Sequence, residues 1–205
     1  MSPKARGPLL VHRSLQGIIA VIFVVGLALG SVAVLVNAAL ALGATLLPAV
    51  LRRDYDIRLS TGLTVWITSA VTLHTVGMIA LYEQVWWWDH LTHFVSAALV
   101  ASVGYAVTTT LDEHSAAIHI PEPFLAVYIL LFTIAAGVVW ELSEMVGREL
   151  SRTYSLEAIL VVYGIEDTML DLVFDMVGAV VVAVVGGEKL RDLVQLPRAW
   201  QRREQ

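Results

Sequence analysis

The sequence predicts an all-α fold: a polytopic membrane helix bundle of about six transmembrane helices, with N-terminus and C-terminus cytoplasmic. Three observations carry this expectation. Of 205 residues, 58% are hydrophobic and only 15% charged, against roughly 45–50% and about 25% in soluble domains. Mean hydropathy is +0.75. Basic residues also fall almost entirely on one side of the layout that the apolar runs dictate. The formal net charge of -5 argues against a nucleic-acid partner. The lack of cysteine removes disulfides, CxxC zinc sites and thiol nucleophiles.

No charged residue stands between Arg13 and Arg52, and Gly17 to Leu51 is almost unbroken apolar sequence. A bilayer core takes roughly 20 helical residues. The run therefore reads as two spans, about 15–29 and 32–51, turning near Gly30-Ser31. A single tilted helix is the alternative. The run exceeds the roughly 7–15-residue apolar core of a cleaved signal peptide. Four more spans follow, about 61–82, 89–111, 123–148 and 167–187, so that 1–187 forms a single transmembrane domain. The segment 188–205 reads as a cytoplasmic amphipathic tail on the inner surface.

With this layout and the N-terminus inside, eleven of the thirteen basic residues are cytoplasmic: Lys4, Arg6, Arg13, Arg52, Arg53, Arg58, Lys189, Arg191, Arg198, Arg202 and Arg203. Arg148 and Arg152 alone fall outside. Such asymmetry fixes the orientation. The expected location is the cell (plasma) membrane, multi-pass, with membrane lipid as a partner. Tyr82 and Trp86 to Trp88 suit the outer headgroup region. The apolar stretch Ala158 to Val162 in the last outer loop is expected to dip back towards the bilayer.

The spans carry ionisable residues that an inert anchor would avoid. Asp89 and His93 open the fourth, Glu141 and Glu144 end the fifth, Asp167, Asp171 and Asp175 begin the sixth, and His74 lies in the third. At 1.5 Å rise per residue, His74, His93, Glu141, Glu144 and Asp171 fall roughly 5–12 Å below the outer boundary, with Asp175 slightly deeper. Spacings of i,i+3 and i,i+4 put each set on one helix face. From Leu59 to Gly147, and from Thr153 to Glu188, there is no Lys or Arg. Crowded intramembrane acids must be protonated, face water or share a cation. Carboxylates and imidazoles without sulfur suit a divalent metal such as zinc, manganese, iron or magnesium, and helical bundles build di-metal sites from such residues. The candidate ligands are His93, Glu141, Asp171, Asp89, Asp167 and His74, with Glu144 as candidate catalytic base.

Plainer roles compete. Asp89 and Asp167 stand at helix starts, where Asp caps well. His90 reads as an interfacial side chain, His74 as a possible packing residue, and Glu144 as a partner for Arg148 at i,i+4. His114 and His119 fall in an inner loop and are expected to be solvated.

Four motifs are recognisable: His74-x-x-Gly77 with Tyr82; Trp88-Asp89-x-x-x-His93-Phe94; Trp140-Glu141-x-x-Glu144; and Tyr163-Gly164-x-x-Asp167-Thr168-x-x-Asp171, leading to Gly178-Ala179. In this order, over about residues 60–185, the chain resembles the YjdF-like family of small membrane proteins of unassigned function, its haloarchaeal members above all. The Asp-x-x-x-His opening is distantly similar to VanZ-type proteins. The YjdF-like resemblance implies that Asp89, His93, Glu141, Glu144, Asp167 and Asp171 form the polar signature. It sets aside His90, where bacterial members typically carry Arg, and Asp175, whose position is not reliably acidic.

Three functions fit the residues. The favoured one is a metal-dependent enzyme acting on lipid or polyisoprenoid headgroups at the outer leaflet. The others are a proton or metal-ion transporter and a structural or accessory subunit. No Ser/His/Asp nucleophile arrangement, phosphate loop or haem motif stands out.

Overall fold

A computed structural model describes residues 3–114, 119–160, 163–186 and 188–195. Six helices among them are long and apolar enough to cross a membrane, and the protein is a multi-pass membrane protein. The first turn falls where the sequence breaks. Helix α1 (Pro3–Leu29) ends at Gly30, whose φ of +67° is left-handed, a conformation open to glycine without Cβ strain. Ser31 then caps α2 (Val32–Asp54), its hydroxyl accepting from the Val34 N–H. After strand β1 (Arg58–Leu59), Ser60 caps α3 (Thr61–Val76) in the same manner.

The third span is not a uniform helix. A π-helical turn, Gly77–Leu81, follows α3 and leads into the short α4 (Tyr82–Gln84). Glycine is required at 77, because a Cβ there would meet the Tyr82 ring and lie 2.8 Å from the Trp88 indole nitrogen. The wider turn swings Tyr82 back over α3.

Helix α5 (Trp88–His114) is the central rod. Half of its apolar window is buried, against 17–33% in the other five. It packs between α6 (Glu122–Thr153) and α7 (Ile165–Val185) through Ala98, Ala101, Ile129, Ala179 and Val182. Small side chains let the backbones approach. Gly178 lies against the Phe94 carbonyl and the Ala98 N–H of α5. Large apolar residues such as Val21, Leu40, Leu131, Val139 and Val184 point outward, as a lipid-facing surface requires.

At the opposite end from the acidic residues, helix α8 (Glu188–Arg191) and strand β2 (Val194–Gln195) fold back, and β2 pairs antiparallel with β1. Arg191 reaches Glu113 at 3.0 Å. The described part of the tail is thus one helical turn followed by a strand, and the rest of the expected amphipathic tail lies outside the described residues. Backbone pairing with the α2–α3 connection holds the described part, an arrangement that a two-residue strand cannot announce by periodicity. The expectations for Arg198, Arg202 and Arg203, for Val161 and Val162, and for the side chains of Lys4, Arg6, Lys189 and His114 lie outside the described residues. His119 is exposed, as solvation requires.

The outer loop after α6 turns back onto the bundle. Glu157 accepts from the Ser31 hydroxyl at 2.6 Å and from the Val32 N–H at 2.7 Å. Asn37, buried in α2, donates to the Ile159 carbonyl at 2.7 Å. Leu160 lies over Gly147.

Candidate metal centre

Three helices bring the ionisable residues together. Trp88 opens α5, which places Asp89 and His90 in its first turn and His93 one turn deeper. Asp167 is the third residue of α7, whose N-cap is Gly164, and Asp171 and Asp175 continue its stripe at four-residue intervals. Glu141 and Glu144 face them from α6, both buried. Neither Asp89 nor Asp167 occupies the capping position itself.

His93 is the hub. Its Nδ1 lies 3.2 Å from Asp175 Oδ1, so that Nδ1–H donates to that carboxylate. Its Nε2 faces the other way, 3.6 Å from Glu141 Oε1 and 3.8 Å from Asp89 Oδ1. A histidine held at Nδ1 by a carboxylate and presenting Nε2 to further carboxylates has the arrangement of a metal-ligating imidazole. Asp89, His93 and Asp171 offer ligand atoms all within 4.8 Å of one another.

Glu141 Oε1 and Asp175 Oδ2 are buried with no hydrogen-bond partner. An unpaired buried carboxylate oxygen is costly. Asp175 Oδ2 fills the space beside Gly137, where a Cβ would collide with it.

The structure departs from the sequence expectations at His90, Asp175 and His74. His90 is not an interfacial side chain: it is 4% exposed, stacks on Phe174 with ring centroids 5.0 Å apart, and its Nδ1 lies 2.8 Å from Asp171 Oδ1. Asp175, set aside on the resemblance, is buried against His93. His74 does not join the ligand groups. Both Asn37 amide hydrogens are committed, to the Ala33 and Ile159 carbonyls, so its Oδ1 accepts from His74 Nε2 at 3.0 Å. The Tyr82 hydroxyl then donates to His74 Nδ1 at 2.7 Å. With both nitrogens engaged, His74 has no lone pair to give a metal.

This polar chain is the feature that residue types alone did not assign. It runs from the Ile159 carbonyl through Asn37, His74 and Tyr82 towards Thr92, which bonds back to Asp89. A lone Asn in the apolar second span was the available signal. Tyr82, expected at the headgroups, is 7% exposed. Trp86, at 79%, remains at the surface.

A family described as "Predicted membrane protein (DUF2238)" matches residues 10–191. The chain belongs to that family. It is similar to an uncharacterized protein of Thermotoga maritima, with 27% identity over 121 residues. That match covers 58% of each chain, so the protein spans little more than half the length of this relative. No solved structure matches the chain significantly.

Proposed function

We propose that this family member is a membrane-embedded, metal-dependent enzyme that acts at the outer leaflet on lipid or polyisoprenoid headgroups. One observation carries the reading: Glu141 Oε1, buried and without a hydrogen-bond partner, points at the same His93 nitrogen as Asp89. Asp89, His93, Glu141 and Asp171 are the ligands in this reading, Asp175 orients His93, and Asp167 lies beside them. A divalent ion such as zinc, manganese, iron or magnesium bound there supplies a Lewis acid for a phosphoryl or ester oxygen and lowers the pKa of a water.

Glu144, buried one turn beyond Glu141 on the same helix, would serve as the base for that water. Arg148 and Arg152 follow at one-turn intervals along α6 towards the surface, where an anionic headgroup would approach. The Asn37–His74–Tyr82 chain orders α2, α3 and the outer loop around the site. It ends on a backbone carbonyl of that loop, which argues against a transmembrane proton route. The YjdF-like likeness, with its haloarchaeal shade, and the remoter VanZ-type one belong to this reading as background. Neither hands over a reaction.

The test is turnover of lipid phosphate and ester substrates by detergent-purified protein reloaded with zinc or manganese. Glu144→Gln should keep the metal and lower turnover by about 10²–10⁴-fold. Protein that holds no metal and turns over no lipid extract would refute the reading.

A further inference from the structure

Two ligand groups lie side by side in the cluster, and they share one residue. Asp89, His93 and Asp171 form the first, and His90, Asp167 and Asp171 the second, with the ligand atoms of each within 4.8 Å. The sharing follows from helix geometry. On α5, residues 89 and 93 are one turn apart on one face, and residue 90 is rotated by about 100° from residue 89. Helix α5 therefore presents two adjacent faces to the single Asp167–Asp171–Asp175 stripe of α7. Asp171, 2% exposed, stands where the two faces meet.

We propose that the cluster is a two-cation centre in which Asp171 bridges one ion, held by Asp89, His93 and Glu141, to a second held by His90 and Asp167. The proposal rests on the metal-dependent reading above and deepens it.

The distances suit ions. Two ligands about 2.0–2.2 Å from a metal, at right angles, stand about 3 Å apart; the His90 Nδ1 to Asp171 Oδ1 separation is 2.8 Å. A cation can thus replace the proton between them with little movement. The Phe174 ring, parallel to His90 within 3°, holds the imidazole plane in place. The buried Glu141 Oε1 has no hydrogen-bond partner and lies 3.6 Å from His93 Nε2, at the edge of the Asp89–His93–Asp171 group, so it would complete the first ion's ligands.

A shared carboxylate sets two ions about 3.5–4 Å apart, a spacing that clamps the attacking and leaving oxygens of an in-line displacement. This narrows the substrate class to a phosphate ester or diphosphate of a lipid. In its hydrolysis the water oxygen bonds to phosphorus, and the phosphorus–oxygen bond to the leaving group breaks. The water proton passes to Glu144, and the leaving oxygen keeps the electron pair until solvent protonates it.

The experiment is a manganese titration of chelator-stripped, detergent-purified protein, with bound metal counted by elemental analysis and coupling read by electron paramagnetic resonance. Wild type should bind two manganese per chain with an exchange-coupled spectrum. Asp167→Asn, isosteric and only partly buried, should bind one uncoupled ion, as should His90→Ala. A thermal unfolding midpoint on each sample checks folding. One uncoupled ion in wild type overturns the two-cation centre and leaves the metal-dependent reading standing. No bound ion overturns both. Two coupled ions in folded Asp167→Asn and His90→Ala overturn the assignment of the second site.

Discussion

Adding one methyl group at Gly178 should uncouple α5 from α7 and loosen the cluster they share. A Cβ at this position lies 2.8 Å from the Phe94 carbonyl oxygen and 3.0 Å from the Ala98 backbone nitrogen. Both are backbone atoms of α5 and cannot rotate away. Reaching an ordinary contact near 3.4 Å requires the helices to part by about 0.6 Å. The hydrogen bonds nearest to this contact across the same interface are His90 to Asp171 at 2.8 Å and His93 to Asp175 at 3.2 Å. Widened by the same amount they reach about 3.4 and 3.8 Å, past the range of a sound N–H···O bond. Overpacking costs about 1–3 kcal/mol, and each weakened bond about 0.5–1.5 kcal/mol. The expected loss is therefore about 2–6 kcal/mol in Gly178→Ala. Thermal unfolding in detergent, beside a manganese titration, measures both effects. Gly43→Ala is the control, since a Cβ there meets nothing within 4 Å and a helical Gly→Ala change is otherwise favourable by roughly 0.5–1 kcal/mol. A Gly178→Ala protein as stable as Gly43→Ala, with unaltered metal affinity, would refute the reasoning.

Two further outcomes follow from individual contacts. Asp175→Asn preserves shape but removes the charge that orients His93; manganese affinity should fall about 10–100-fold, and equal affinity by calorimetry would leave Asp175 a packing residue. The outer loop should be pH-sensitive through Glu157, whose hydrogen bond from Ser31 and backbone N–H partners hold its carboxyl below the ordinary 4.5. A depressed folded-state value stabilises above the unfolded pKa and is lost as pH falls through the folded one. Hydrogen exchange in residues 154–160, corrected for intrinsic rates, should therefore quicken below about 4.5 in wild type and be uniformly faster and pH-flat in Glu157→Gln; identical profiles would count against the tether.

Depth was readable from the chain and azimuth was not. A bilayer fixes helix length, so the apolar runs and the Gly30-Ser31 break locate the spans. The constant rise then puts His74, His93, Glu141, Glu144 and Asp171 at one level. Rotation about each axis depends on packing and on local departures from 3.6 residues per turn. The π turn at Gly77–Leu81 brings Tyr82 over His74 and turns an apparent ligand into a link in a hydrogen-bond chain. His90 differs from Asp89 by a single residue, yet that rotation carries it onto Asp171 and Phe174 rather than to the boundary. Neither outcome is a matter of composition.

Asp175 shows what spacing held and family likeness obscured. Its i+8 relation to Asp167 already placed it on the stripe with Asp171, whereas the resemblance set it aside. Its buried carboxylate instead occupies the notch left by Gly137 on α6 and holds His93 from behind. A bundle needing only adhesion would gain more from apolar side chains at 141 and 175, since unpaired buried carboxylate oxygens cost stability. Keeping two such oxygens on either side of one imidazole, with Gly137 making room for the second, is sensible physically if a cation completes the set.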